Sequence, residues 1–161
     1  MTMNKEIERK YLIKELPFEE MQKAKPRRII QGYLFLEDNR ELRIRKFGQQ
    51  FFLTQKIGSG LVRDETEEEI SEHIFNMMWP FTKGKRLEKL RFTLTLNGHV
   101  CEIDVYSGKL ANLMVLEVEF SSEEAANNFV APKFCLKEIT EDKRFKNATL
   151  AQRGKPGLSD T

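Results

Sequence analysis

The chain has 161 residues, a length that suits one domain with an extensive hydrophobic core. Its 27 lysine and arginine residues nearly balance its 25 aspartate and glutamate residues, which excludes a general nucleic-acid-binding protein because such proteins carry a clear basic excess. The 40% apolar content excludes a disordered chain, yet 32% of the residues are charged, more than in an average globular domain. We expect some of that charge to lie inside the protein.

The N-terminal region and the cysteines indicate the cellular setting. The first ten residues lack the apolar segment of a signal peptide, and no run approaches the roughly 18 apolar residues that a membrane helix needs. Cys101 and Cys135 have no metal-site spacing, so we expect two reduced thiols. The expected protein is cytoplasmic, has no membrane or nucleic-acid partner, and forms one domain over residues 1–153 with a flexible tail over 154–161. A homodimer is left open.

The first half of the chain predicts three β-strands, over residues 6–13, 41–47 and 51–57, because apolar and polar residues alternate there. Strict alternation places all the charged side chains of such a strand on one face. The charged faces of these three strands carry Glu6, Glu8, Lys10, Arg43, Arg45 and Lys56.

A short helix is predicted next. Ser71 is a suitable N-cap, Trp79 is the last helical residue, and Pro80 ends the helix. Its expected buried stripe consists of Ile74, Phe75, Met78 and Trp79.

A β-hairpin follows, with strands over residues 89–96 and 99–106. The dipeptide Asn97-Gly98 between them is the preferred two-residue type I′ turn. A two-residue turn sets Leu96 opposite His99, and this register places Arg91 directly across from Asp104. One face of the hairpin is apolar, and the other face carries Lys89, Arg91, Glu102 and Asp104.

The last third of the chain predicts one more strand and two helices. The strand covers residues 113–120 and has Glu117 and Glu119 on its charged face. Ser121 and Glu124 form a capping box for a helix that extends to about residue 130. A second short helix is expected over residues 147–152.

At least five segments share this alternation of apolar and charged residues. An ordinary antiparallel sheet with one wet face would explain any single strand. A closed barrel of about eight strands, with a charged lumen and helices over its apolar outer face, would explain all of them. Buried charges persist when they are paired or bind ions. Arginine suits phosphate oxygens, and clusters of carboxylates suit Mg²⁺ or Mn²⁺, so the pattern points to phosphoryl transfer from a short polyphosphate.

A series of charged motifs runs from residue 6 to about residue 152. It begins with the ExExK sequence of residues 6–10 and continues, in order, at residues 43–45, 53–56, 63–69, 89–91, 102–106, 116–119 and 138–147. Together these motifs resemble those of the CYTH, or triphosphate tunnel metalloenzyme, superfamily. The resemblance implies an α+β fold, in which an antiparallel eight-stranded closed barrel forms a charged tunnel and helices pack outside it.

The resemblance also implies roles for individual residues. The metal-binding carboxylates would be Glu6, Glu8, Glu117 and Glu119, with Asp104 as a further or more distant member. The triphosphate-binding cations would be Lys10, Arg43, Arg45, Lys56, Arg63, Lys89 and Arg91. Of these residues, the catalytic set would be Glu6, Glu8, Lys10, Lys56 and Arg91.

Some assignments stay open. Near the C-terminus, Arg144 or its neighbour Lys143 would reach the tunnel mouth, and Arg144 is counted among the substrate-binding residues. Arg91 could instead form only a cross-strand ion pair with Asp104. The inward-pointing members of the acidic run are undecided among Glu65, Glu67, Glu68 and Glu69.

Three functions fit this sequence. The first is hydrolysis of a small triphosphate with Mg²⁺ or Mn²⁺, and inorganic tripolyphosphate is favoured over nucleoside or thiamine triphosphate. The second is a class IV adenylate cyclase, which the chain disfavours because neither histidine lies in the HFxGxxxVE-like stretch expected of that class. The third is a module that binds a triphosphate without turnover.

Overall fold

Eight antiparallel strands close into a barrel in the computed structural model, which describes residues 2–157. The strands are β1 (Thr2–Ile13), β2 (Arg27–Glu37), β3 (Arg40–Phe47), β4 (Gln50–Ile57), β5 (Val62–Ile70), β6 (Arg86–Leu96), β7 (His99–Tyr106) and β8 (Met114–Glu119). Their order around the barrel is β5-β4-β3-β2-β6-β7-β8-β1, and pairing of β1 with β5 closes the ring. A short strand, β9 (Cys135–Glu138), pairs with the end of β1. The predicted fold class is confirmed.

Four short α-helices lie outside the barrel wall or at one of its ends. They are α1 (Phe18–Met21), α2 (Glu72–Met78), α3 (Glu123–Asn128) and α4 (Asn147–Arg153). Three 3-10 turns, Trp79–Thr82, Gly108–Leu110 and Lys143–Phe145, complete the helical structure of residues 2–157. In this part of the chain no helix is long and apolar enough to span a membrane.

The predicted hairpin is confirmed as strands β6 and β7. Asn97 and Gly98 both have positive φ, 51° and 81°, as a type I′ turn requires. The register places Leu96 opposite His99 and Arg91 opposite Asp104. The strands predicted over residues 6–13, 41–47, 51–57 and 113–120 correspond to β1, β3, β4 and β8. Strands β2 and β5 were not predicted as strands.

The helix predictions need three corrections. Ser71 does cap α2, because its side chain accepts a hydrogen bond from the Ile74 amide at 3.1 Å, but the Ile74 side chain is 45% exposed instead of buried. The chain does not leave the helical conformation at Pro80, which lies inside a 3-10 turn. The N-cap of α3 is Ser122 and not Ser121, because the Ser122 side chain accepts a hydrogen bond from the Ala125 amide. This helix ends at Asn128, before the predicted end at about residue 130.

Apolar clusters cover the outside of the barrel and fill one of its ends. One cluster joins Ile44 and Phe51 to Phe75 of α2, and a second joins Leu116 and Val118 to α1 and α3. A third cluster packs α4 against the barrel. Lys155 contacts the Ala111 carbonyl, and the tail predicted over 154–161 lies outside the described residues from 158 onward. With the apolar side chains outside, the charged faces point into the lumen.

Candidate active site

The lumen contains two adjoining chambers. The wide chamber has a volume of about 220 Å³ and the narrow chamber a volume of about 50 Å³. Glu8, Arg43, Lys56, Arg63 and Asn147 line both chambers. The wide chamber is lined in addition by Glu6, Arg45, Phe47, Glu65, Glu67, Lys89, Arg91, Glu102, Glu117 and Glu119. The narrow chamber adds Lys10, Tyr33, Glu41, Lys143 and Lys146 among its lining residues.

Strand β1 contributes two buried carboxylates, because Glu6 and Glu8 are two residues apart on its lumen face. The Lys56 ammonium lies 3.0 Å from Glu6 Oε2, and Arg63 Nη2 donates to Glu8 Oε1 at 2.9 Å. Burial raises the pKa of Glu8, and the negative charges of Glu117 and Glu6 raise it further, to about 8. Burial acts the same way on Glu6, but Lys56, hydrogen bonds with Glu8 and Glu65, and the charge of Arg63 together outweigh it, so the pKa of Glu6 is lowered. The two neighbouring carboxylates therefore differ in their readiness to hold a proton.

Strand β8 supplies a second pair of carboxylates beside the first. Glu119 is opposite Glu8 in the β1–β8 register. Burial opposes ionisation of Glu117, yet Lys10 and Arg91, each 3.5 Å from it, hold its pKa at about 2. Burial and the charges of Glu6 and Glu117 raise the pKa of Glu119. Four carboxylates thus meet at one side of the lumen.

These carboxylates have the chemistry of a site for a hard divalent cation. Their donors are oxygen atoms alone, which suits Mg²⁺ or Mn²⁺. Burial raises the pKa of Glu8 most, and the charges of Glu117 and Glu6 add to this effect; a cation would offset those charges. Within residues 2–157 no three acidic, histidine or cysteine side chains are grouped as a ready metal site. Glu6, Glu8 and Glu117 are each paired with a lysine or arginine. The residues fit a metal ion after exchange of those ion pairs.

Arg43 and Arg45 on β3 carry donors with no acceptor. Both side chains are buried, and the Nε atom of each has no hydrogen-bond partner among the described residues. Arg45 Nη2 reaches Glu67 only at 3.6 Å. Burial lowers the pKa of Arg45 to about 10, helped by the neighbouring charges of Arg43 and Arg91. A buried donor without an acceptor is costly, so this wall is organised to receive an anion.

Lys89 and Arg91 differ from Arg43 and Arg45, because both form ion pairs with the buried Asp104 carboxylate. Arg91 makes two parallel hydrogen bonds of 2.8 Å to Asp104, and Lys89 Nζ lies 2.7 Å from the same carboxylate. Arg91 also contacts Glu102 at 2.9 Å. Burial lowers the pKa of Lys89 to about 8, although Asp104 opposes this shift. The substrate role of Lys89 and Arg91 and the metal role of Asp104 remain predictions.

The C-terminal segment lines the narrow chamber with lysines. Lys143 and Lys146 lie in its wall, and Lys146 Nζ is 3.4 Å from Glu41. Arg144, the predicted residue, binds Asp142 through its guanidinium at 2.8 and 3.0 Å. Lys143 thus lines the narrow chamber although it is exposed, and which of Lys143 and Arg144 contacts a substrate stays a prediction.

The acidic run of β5 is resolved by burial and contacts. Glu65 faces the lumen and lies 3.4 Å from Lys56, and Glu67 accepts a hydrogen bond from Thr54 at 2.8 Å. Glu68 and Glu69 are exposed. Further lining residues were not predicted from the sequence, among them Tyr33, Glu41, Phe47, Lys146 and Asn147. Of these five, Glu41 had a sequence signal, since it continues the alternation of Arg43 and Arg45.

A closed antiparallel barrel lined by facing carboxylates and guanidinium groups defines a tunnel for a polyanion. The chain belongs to the CYTH domain family, whose model matches residues 4–145. It is 47% identical over 148 residues to an inorganic triphosphatase of Nitrosomonas europaea, covering 91% of this chain and 96% of that protein. It is 31% identical over 152 residues to an inorganic triphosphatase of Acetivibrio thermocellus, covering 93% and 95%. A crystal structure of an inorganic triphosphatase superposes with a TM-score of 0.70 and 39% identity, covering 93% and 99%.

Proposed function

We propose that this protein is an inorganic triphosphatase that hydrolyses tripolyphosphate to phosphate and diphosphate inside the tunnel. The observation that carries the proposal is the pair of unpartnered, buried Nε donors on Arg43 and Arg45. The relatives at 47% and 31% identity, both named inorganic triphosphatases, support the same reaction.

The chain's own residues would bind and orient the substrate. Arg43 and Arg45 donate to phosphate oxygens, whose charge replaces the missing acceptors. Lys56 and Arg63 lie between the two chambers and now hold Glu6 and Glu8, so they can exchange a carboxylate for a phosphate oxygen. These fixed positive groups would also stabilise negative charge that develops on the transferred and leaving phosphates.

A divalent cation, Mg²⁺ or Mn²⁺, belongs to the proposal. Glu6, Glu8, Glu117 and Glu119 would hold it, and when bound it would neutralise phosphate charge and lower the pKa of water. Burial and the charges of Glu117 and Glu6 raise the pKa of Glu8 to about 8, so binding of the cation near neutral pH would release a proton from this carboxyl group. The nucleophile is water, which attacks the terminal phosphorus while the bond to the diphosphate oxygen breaks.

A phosphate-release assay tests the proposal. The purified protein is incubated with tripolyphosphate, ATP or thiamine triphosphate, each with Mg²⁺, with Mn²⁺ and with a chelator. We expect metal-dependent release of phosphate and diphosphate from tripolyphosphate, at least as fast as release of phosphate from ATP. Cyclic AMP and diphosphate as main products from ATP, with tripolyphosphate inert, would instead identify a cyclase. Binding without turnover of any substrate would identify a binding module.

A further inference from the structure

Arg27, the first residue of β2, holds the β3–β4 turn at the rim of the wide chamber. Its Nη2 donates to the Phe47 carbonyl at 3.1 Å and to Gln50 Oε1 at 3.3 Å. Its guanidinium carbon lies 3.8 Å from the centroid of the Phe47 ring. Gly48, at the turn, has φ +61°, and a Cβ there would lie 3.1 Å from Arg27 Nη2. Arg27 therefore packs closely on both the backbone and the ring of this turn.

The same Phe47 ring touches the lumen arginine Arg45. The Arg45 guanidinium carbon lies 5.3 Å from the ring centroid, and Phe47 lies in the wall of the wide chamber. Arg45 is repelled by Arg43 and Arg91, which contributes to its lowered pKa. The negative face of an aromatic ring offsets part of such repulsion and restricts where the guanidinium can lie. The ring is thus a contact that keeps Arg45 at the chamber wall.

We propose that Arg27 is a positioning residue, which fixes the Phe47 ring so that the ring holds Arg45 towards the bound triphosphate. This inference rests on the proposed function, because it assumes that Arg45 binds phosphate. Among residues 2–157, the Arg27 side chain hydrogen-bonds to the turn and stacks on the Phe47 ring, and it makes no ion pair. We expect Arg27 to affect the substrate through Phe47. Replacing Arg27 should therefore have no further effect on affinity once the Phe47 ring is removed.

The neighbouring residue supplies a matched control. Arg28 is also an exposed arginine of β2, but it pairs with Glu88 at 2.7 Å. Replacing either arginine by glutamine removes one positive charge from the same strand end. An effect of Arg27 that came only from long-range attraction of the anion would therefore be shared by Arg28, whereas a positioning effect would not.

The test compares Arg27→Gln, Phe47→Leu, the double variant and Arg28→Gln. Tripolyphosphate affinity is measured by calorimetry in a chelator, and KM and kcat are measured with Mg²⁺. We expect Arg27→Gln to weaken affinity and raise KM about two- to fivefold, the scale of an exposed cation–π contact, with kcat changed less. The double variant should be no weaker than Phe47→Leu alone, and Arg28→Gln should match the wild type. Arg27→Lys, which keeps a cation near the ring, should retain more affinity than Arg27→Gln.

Other outcomes separate this inference from the proposed function. Equal losses in Arg27→Gln and Arg28→Gln, or additive losses in the double variant, would overturn the positioning role while the triphosphatase activity stands. A wild type that binds tripolyphosphate without cleaving it would overturn the activity, and the affinities alone would still decide the role of Arg27. A wild type that neither binds tripolyphosphate in the chelator nor cleaves it with Mg²⁺ would overturn both.

Discussion

Replacing Asp104 by asparagine tests whether the Lys89–Asp104–Arg91 cluster supports the fold. The Asp104 carboxylate is fully buried, and its two partners lie 2.7 and 2.8 Å away, with Lys89 only 1% exposed. The substitution keeps the size of the side chain and removes its charge. It therefore leaves two buried cations without their shared anion.

The expected loss follows from what each cation retains. Removing one partner of a buried ion pair costs about 3–5 kcal/mol. Arg91 keeps Glu102 at 2.9 Å and Glu117 at 3.5 Å, so its charge stays paired. Lys89 makes its ion pair with Asp104 and has no second ion pair within residues 2–157. Because Lys89 loses its ion pair while Arg91 keeps two, we expect the free energy of unfolding to fall by about 3–4 kcal/mol, near the lower end of that range.

The loss should depend on pH through Lys89. Asp104 now raises the pKa of Lys89 against the effect of burial, so the variant should have a Lys89 pKa below the present value of about 8. The folded variant then binds fewer protons at Lys89 than the unfolded chain, whose lysine titrates near 10.5. The free energy of unfolding of the variant must therefore rise with pH. Because the wild type gains stability in the same way above its own Lys89 pKa of about 8, the deficit should shrink as the pH rises towards 8 and stay level above it.

Urea unfolding at pH 6.5, 8 and 9.5 measures this free energy, with Glu88→Gln as the control. The Glu88–Arg28 pair has the same length, 2.7 Å, but is exposed, so solvent screens it and its loss should be small. A deficit in Asp104→Asn no larger than in the control, or one that grows with pH, would refute the view that this cluster is a buried structural support.

The remaining predictions concern the lumen. Glu8→Gln should abolish turnover at limiting Mg²⁺ while circular dichroism stays unchanged, and retained turnover would remove Glu8 from the metal site. Because the pKa of Glu8 is raised in the folded protein, protonated Glu8 contributes to stability below about pH 4.5, and this contribution is lost as the pH rises towards 8. The free energy of unfolding of Glu8→Gln should therefore depend less on pH between 4.5 and 8. Arg43→Ala and Arg45→Ala should each weaken tripolyphosphate binding by about 1.5–3 kcal/mol in calorimetry, without lowering stability, whereas unchanged binding would make these arginines structural.

The strands that the sequence predicts well are those whose lumen face is charged and whose outer face is apolar, whereas β5 carries polar residues on both faces. Strands β1, β3 and β4 and the β6–β7 hairpin alternate between apolar and charged residues, so their period of two is visible. Strand β2 hides this period, because its lumen positions Gln31 and Tyr33 are uncharged and both its faces are largely buried. Gly32 within it lies where a Cβ would be 2.5 Å from Thr82, a close approach that no local pattern reveals.

Alternation predicts which charged side chains face the lumen, but beyond the hairpin it does not predict how they pair. Alternation places Arg45 and Arg91 on lumen faces by the same reasoning, and it assigns them the same chemistry. The structure separates them, because Arg91 has Asp104 directly across the hairpin, whereas Arg45 faces Phe52 in its own register with β4. Which cations are neutralised depends on contacts between strands that are distant in sequence, such as Arg63 with Glu8.

The lumen contains cations that are paired with carboxylates and arginines with unpartnered donors. This difference explains how it can hold many charges and still offer donors to an anion. Cations such as Lys89 and Arg91 are neutralised by an internal carboxylate, which limits the cost of burying them. Arg45 is removed from water without full compensation, since burial and the charges of Arg43 and Arg91 lower its pKa and its Nε atom has no hydrogen-bond partner among the described residues. Arg43 also has an unpartnered Nε atom, although neighbouring acidic groups raise its pKa against the effect of burial. A phosphate in the proposed site would meet donors that are already desolvated and held in place, so little of its binding energy would be spent on reorganisation.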